Sequence, residues 1–290
     1  MDIKFIQPLT VTIFSLLKSN PSVSFKIYLI TEIEDESRLD SLKSLVLSKG
    51  SQLITKKIGA SSFSNQKIKY HYSIANYYRL LAAEMIPEEQ VLYLDSDIIV
   101  HGPIQELYAT DLAEYPLAAV YDPQVQDLDR LELSAEQGYF NSGVMLLNLK
   151  IWREQNLGYK VIEYLTNFPT RIQYADQCGL NAVLQGNWLR LNPKWNVMTS
   201  FFNPKHRNTA LRYFGEAFDL AVQKPIILHY SDSPKPWEFR NNHPLKKLYW
   251  DYLNQTEFKR RFPKDLTFSN LLRWAVPNKL KKKYWKLRQK

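Results

Sequence analysis

Short apolar runs alternate with stretches of helical spacing along most of this chain, and that alternation limits its fold more than any other feature. Residues 25–30 (FKIYLI), 91–94 (VLYL), 117–121 (LAAVY), 143–149 (GVMLLNL) and 225–230 (PIILHY) read as strands, and 52–55 suggest another. Helical patterns fall at 9–19, about 36–48, 73–85, 150–166 and 177–185. Ser73 reads as the N-cap of the third helix, and Pro87 closes it. Strands alternating with helices predict an α/β domain with a mostly parallel central sheet flanked by helices. Such sheets bind ligands at the carboxyl ends of their strands.

The run Val91–Leu94 ends directly on Asp95-Ser96-Asp97. On an extended backbone, carboxylates at i and i+2 emerge on one side and repel, and a divalent cation between them relieves that repulsion. The plainer alternative is a pair that caps and solvates a strand end. A second copy of the spacing, Asp127-Leu128-Asp129, lies in a polar stretch with no strand before it and reads as solvated loop. Residues 139–143 (YFNSG) offer Asn141, Ser142 and Gly143 to sugar hydroxyls, or else form an ordinary turn into the next strand. Asp176-Gln177 falls at a helix start, where Asp is first a capping residue. His229 ends an apolar run and offers an imidazole to a metal, and Lys235 suits phosphate charge. Unaided, each of these also has a structural explanation.

Charge is unevenly spread. The chain carries a net +9, yet residues 258–290 hold twelve Lys or Arg against Asp265 alone, so the body is close to neutral. Leu266, Leu271, Leu272, Trp274 and Ala275 share one apolar stripe, and Leu280, Tyr284 and Leu287 share another among lysines. Basic amphipathic helices of this kind fit an anionic membrane surface, with nucleic acid the rival partner and a charged, partly disordered terminus the plain alternative. The two apolar stripes favour the membrane, so no nucleic-acid partner is expected. The division expected is 1–257 as one α/β domain, holding every candidate site residue, and 258–290 as a basic amphipathic tail. A single cysteine, Cys178, excludes a disulfide framework and a cysteine-built zinc site, which favours a reducing compartment. No apolar run approaches bilayer-crossing length, and the N-terminal residues lack the apolar core of a signal peptide.

Taken together, LYLDSD at 92–97, YFNSGVMLLNL at 139–149, YADQ at 174–177 and HYSDSPKPW at 229–237 resemble the family 8 retaining glycosyltransferases. These include bacterial lipopolysaccharide galactosyl- and glucosyltransferases and, more distantly, glycogenin. SIANYYRL at 73–80 also resembles that family, and the match runs from near residue 2 to about 240 with its motifs in order. The resemblance implies a GT-A nucleotide-diphospho-sugar transferase fold and a UDP-hexose donor. It also implies a saccharide or glycolipid acceptor, and manganese with magnesium as the alternative ion. Asp95, Asp97 and His229 would bind the metal, with Ser96 between them, and Lys235 would contact phosphate. Arg79, Asn141, Ser142, Asp176 and Gln177 would line the donor sugar. Asp2 and Phe5 match what survives of an Asp-rich, aromatic segment that holds uracil. The resemblance further implies attachment through the basic tail, hence a cytoplasmic enzyme peripheral on the inner face of the membrane.

Transfer with retention needs either a carboxylate nucleophile, for which Asp176 is the motif candidate, or attack on the face that the leaving group departs. Gln177 is a poor nucleophile, which favours same-face attack. Two positions differ from the family pattern. Met1–Phe5 begin where the family's first strand has already ended, so that strand is expected to be missing. Asp232 stands where the family usually has Gly. Two other readings remain at this point. One is a haloacid dehalogenase-like phosphatase, which also ends a strand in Asp-x-Asp. The other is a membrane-surface glycan-binding protein whose transfer site has decayed.

Overall fold

The computed structural model describes residues 3–58, 74–259 and 261–275. Chain contacts divide it into two compact units, Met1–Ser231 and Asp232–Lys290.

The first unit opens with α1 (Ile6–Ser19), followed by β1 (Lys26–Thr31), α2 (Asp40–Ser48) and β2 (Gln52–Lys57). β1 and β2 pair in parallel because α2 carries the chain back between them. Strand periodicity divides β1 cleanly. Ile27 faces a cluster of Ile13, Leu17, Leu42 and Val46 from α1 and α2, while Tyr28 and Ile30 face the larger core on the other side.

A four-stranded sheet follows in the order β3 (Gln90–Leu94), β6 (Phe140–Asn148), β5 (Leu117–Tyr121), β7 (Leu189–Arg190). A separate three-stranded sheet runs β4 (Ile98–Val100), β9 (Ile227–His229), β8 (Val197–Met198). β6 is buried on both faces from Phe140 to Leu147, which explains its unbroken apolar sequence. The α/β class holds, but strand directions are mixed. β6 runs antiparallel to both neighbours and β4 antiparallel to β9, whereas β5–β7 and β8–β9 are parallel. The physical reason is visible between β5 and β6. That connection holds only a 3-10 turn at Asp129–Leu131, and without a helical crossover the chain returns antiparallel.

Several elements differ from their sequence outline. The helix expected over 73–85 is a 3-10 segment, Ile74–Leu81, followed by a short α3 (Ala82–Met85), and its expected cap Ser73 lies outside the described residues. The YFNSG segment is not a turn: from Phe140 onward it is already strand β6. The helix expected over 150–166 breaks in two at Asn156, which is left-handed, giving α5 (Leu149–Glu154) and α6 (Leu157–Asn167). A short α4 (Gln105–Tyr108) precedes them in the chain, and α7 (Ala175–Leu184), α8 (Pro204–Phe214) and α9 (Ala217–Gln223) follow.

Side chains of α1 satisfy the outer edge of β4. The Thr12 hydroxyl lies 2.8 Å from Ile98 O and 3.0 Å from Ser96 O. Ser15 Oγ accepts from Val100 N at 2.9 Å, and Ser19 Oγ donates to Val100 O at 2.9 Å. A helix with buried Thr12 and Ser15 amid its apolar face thus replaces a neighbouring strand.

The second unit contains α10 (Lys246–Leu253) and α11 (Phe268–Ala275). Asp265 ties it together, pairing with Arg240 at 2.8 Å and accepting from the Phe239 backbone. Residues 276–290, with the second apolar stripe of the basic tail, lie outside the described residues.

Candidate functional site

Asp95-Ser96-Asp97 is the turn by which the chain leaves one sheet and enters another. Asp95 N still donates to Gly143 O of β6 at 2.8 Å, while Asp97 O accepts from Tyr230 N, just past β9, at 3.0 Å. The two carboxylates therefore converge through a turn rather than along an extended backbone. Opposite them, His229 ends β9 in register with Ile98 and Met198. Its Nε2 is 3.4 Å from Asp97 Oδ1 and 3.8 Å from Asp95 Oδ2. One ligand atom from each of Asp95, Asp97 and His229 lies within 4.8 Å of the others, the arrangement a divalent cation requires. Two carboxylate oxygens and an imidazole nitrogen match a first-row transition ion better than calcium.

Gly143 makes room for this cluster. A Cβ there would stand 2.2 Å from His229 Cε1 and 2.9 Å from Asp95 Oδ2, so a side chain cannot be accommodated.

Arg79 joins the carboxylates to a second group. Its Nη2 is 2.9 Å from Asp95 Oδ1, its Nε 3.2 Å from Asp176 Oδ2, and its Nη1 donates to Ser142 O at 2.9 Å. The guanidinium lies over the Tyr93 ring at 4.5 Å, and Tyr93 OH donates to Asp95 Oδ1 at 2.6 Å. Burial opposes the charge on Arg79, but Asp176 and Asp95 outweigh it and hold its pKa above the ordinary value. For Asp176 the balance reverses. Burial pushes its carboxyl up to about 6, with Arg79 opposing and the Asp95 charge adding to the rise. The 3-10 segment carrying Arg79 packs tightly on α6, where a Cβ on Gly158 would lie 2.0 Å from Leu80 O.

Behind these charges runs a chain of buried amides. Asn141 Nδ2 donates to Gln177 Oε1 at 3.1 Å and to Asp122 Oδ2 at 3.3 Å, and Asn141 Oδ1 accepts from Gly143 N and Asn196 Nδ2. Gln177 Oε1 also accepts from Ser142 N at 3.1 Å. Ser142 Oγ is 3.5 Å from Asp176 Oδ2. Asn181 on α7 clamps the helix to β6 by bonding both the N–H and the C=O of Phe140.

The structure thus brings together Arg79, Asp95, Asp97, Asn141, Ser142, Asp176, Gln177 and His229, with Ser96 contributing its carbonyl to Thr12. Lys235 belongs to the second unit, as does Asp232. Phe5 is partly exposed beside the start of α1, and Asp2 lies outside the described residues. Asp127 is 69% exposed and only loosely paired with Arg130 at 3.7 Å, and Asp129 begins a surface 3-10 turn, in keeping with a solvated loop. Sequence reasoning missed Asp122, Asn196 and Tyr93. Asp122 carried a signal, since it follows the apolar strand LAAVY as Asp95 follows VLYL, and a bulge between Ala119 and Tyr121 sets its approach. Asn196 carried none.

Against known proteins, the family model described as "Glycosyl transferase family 8" matches residues 1–241. The chain is 30% identical over 252 residues to glycosyltransferase GlyF of Streptococcus pneumoniae, covering 87% of this chain but only 59% of that protein. It is 24% identical over 295 residues to the lipopolysaccharide 1,3-galactosyltransferase of Salmonella typhimurium, covering 98% of this chain and 85% of the relative. Among solved structures, the galactosyltransferase LgtC in complex with donor and acceptor sugar analogues superposes with a TM-score of 0.77 over 98% of each chain, at 22% identity, which establishes a shared GT-A fold.

Proposed function

Because the chain belongs to glycosyl transferase family 8, we propose that it is a metal-dependent, retaining hexosyltransferase. It moves galactose or glucose from a UDP-sugar to a saccharide acceptor, either lipopolysaccharide or another surface glycan. The observation that carries this reading is the convergence of Asp95, Asp97 and His229 within 4.8 Å, beside Arg79, Asp176 and Gln177.

Asp95, Asp97 and His229 would hold manganese, and magnesium is the alternative, disfavoured by the imidazole. The bound ion supplies Lewis-acid stabilisation of the diphosphate leaving group. The protein's own groups do the rest. Arg79 holds Asp95 and Asp176 in place, beside the donor sugar that these residues are assigned to line. Asp176 is a poor nucleophile here, because Arg79 and Ser142 both occupy its Oδ2. Gln177 presents an amide whose oxygen is already committed to Ser142 N and Asn141. These features favour same-face attack, with the departing phosphate accepting the acceptor's proton. Asn141 lines the donor pocket mainly by orienting Gln177 and Asp122. Lys235 contacts phosphate, and Asp2 and Phe5 contact the uracil.

The basic segment 258–290 attaches the enzyme to an anionic membrane, placing it on the inner, cytoplasmic face. Within its described part, Phe262 is 80% and Phe268 77% exposed, apolar rings suited to a headgroup region. No helix among the described residues is long and apolar enough to cross a membrane.

UDP release from UDP-galactose and UDP-glucose, with and without manganese, tests the reading. Activity should require the ion, fall at least about 100-fold in Asp95→Ala and Asp97→Ala, and persist in Asp129→Ala. Equal behaviour of the three variants would remove the assigned site, and absence of turnover in the unaltered chain would favour a decayed glycan-binding protein.

A further inference from the structure

Asn196 stands just before β8, fully buried, with its two amide atoms facing different partners. One is 2.9 Å from Asn141 Oδ1 and the other 3.1 Å from His229 Nδ1. Backbone donors determine which atom is which. Gly143 N–H donates to the Asn141 side chain at 3.0 Å, so the atom it meets is the oxygen. Ser142 N–H donates likewise to Gln177 at 3.1 Å, fixing that oxygen, which then receives the Asn141 NH2. With Asn141 oriented by both ends, the Asn196 atom facing its oxygen must be the NH2. The atom facing His229 is therefore the Asn196 carbonyl. A carbonyl only accepts, so neutral His229 carries its proton on Nδ1 and turns the Nε2 lone pair toward Asp97 and Asp95.

We infer that Asn196 is a positioning residue that sets the tautomer and ring orientation of His229 for cation binding. This rests on the reading of Asp95, Asp97 and His229 as a cation site. The same amide chain continues through Asn141 to Gln177 and Asp122, so one network orients both the imidazole and the groups assigned to the sugar. β8 and β9 run parallel with Met198 opposite His229, so the backbone on both sides of this hydrogen bond is held by the sheet.

Two measurements test the inference separately. In the full chain without metal, labelled with 15N-histidine, long-range proton–nitrogen spectra report the tautomer, and His229→Gln assigns the signal. The Nδ1–H form is expected, and the Nε2–H form would overturn the proposal whatever the metal does. Manganese titration followed by electron paramagnetic resonance then compares variants. Asn196→Leu removes the acceptor and should weaken manganese binding about 10- to 100-fold. Asn196→Asp keeps an acceptor at Nδ1 but loses the NH2 that serves Asn141, so it should weaken binding clearly less than Asn196→Leu. Equal weakening in both would indicate a packing role and reject the positioning role. If manganese fails to bind the unaltered chain, or binds His229→Ala equally well, the cation reading falls, and the tautomer result shows whether the Asn196–His229 pairing stands. Should Asn196→Leu not fold, the tautomer in the unaltered chain still decides.

Discussion

At Gly143 the room left for a side chain is smaller than a methyl group, because His229 and Asp95 already occupy it. Gly143→Ala should therefore push the imidazole away from Asp97, weakening manganese binding and lowering turnover about tenfold or more, with stability reduced by about 1–3 kcal/mol. Titration calorimetry and thermal melting would separate the two effects, and unchanged binding would show that His229 can yield without cost. Residues differed in how plainly the sequence announced them. Asp95 and Asp97 were legible because an apolar run that forms a strand delivers them, and the same spacing at Asp127 and Asp129 without a strand proved to be surface loop. Asn196 was invisible because its meaning comes from neighbours 55 residues back at Asn141 and 33 ahead at His229. Nothing in NPKWN indicates that an amide there will face an imidazole.

At the scale of elements, α1 does work that helix patterning alone does not reveal. Thr12 and Ser15 look like interruptions of an apolar face until β4 is seen to need hydrogen-bonding partners along its edge. Thr12→Val preserves shape but leaves the Ser96 and Ile98 carbonyls without that hydroxyl. A loss of about 1–3 kcal/mol is expected in denaturant unfolding, together with weaker manganese binding as the Asp95–Asp97 turn loosens. A second element depends on pH. His243 Nδ1 accepts from Leu245 N at 3.1 Å at the start of α10, and burial lowers its pKa from 6.5 to about 4. A depressed histidine contributes stability that is fully present above pH 6.5 and is lost as pH falls toward 4. Melting of the chain should show a fall in stability across that window, and His243→Gln should flatten it. An identical slope in the variant would exclude His243 as the source. The longer strands, with α1, α2 and α5 to α7, were legible from periodicity, whereas α4 and α8 to α10 were not anticipated. β4, β7 and β8 were not, since two or three residues carry too little pattern to separate a strand from a loop.

Across the whole molecule, the α/β class followed from alternation, and membership of the family followed from four ordered motifs. Strand direction did not follow, because it depends on whether a connection contains a helix. The charge asymmetry also belongs to this scale. Deleting residues 266–290, which leaves Asp265 in place, should abolish sedimentation with vesicles containing anionic lipid while leaving soluble turnover within about twofold, and salt should weaken binding of the intact chain steeply. Retained binding after deletion would reject the anchor.

The Asp95–Asp97 turn has a thermodynamic consequence beyond chemistry. Asp95 is held by the ladder of one sheet and His229 by that of another, so a cation held by both would add its binding free energy to the cohesion of the two sheets. Cation binding and the cohesion of the two sheets would then belong to one linked equilibrium, and withholding the ion would weaken both.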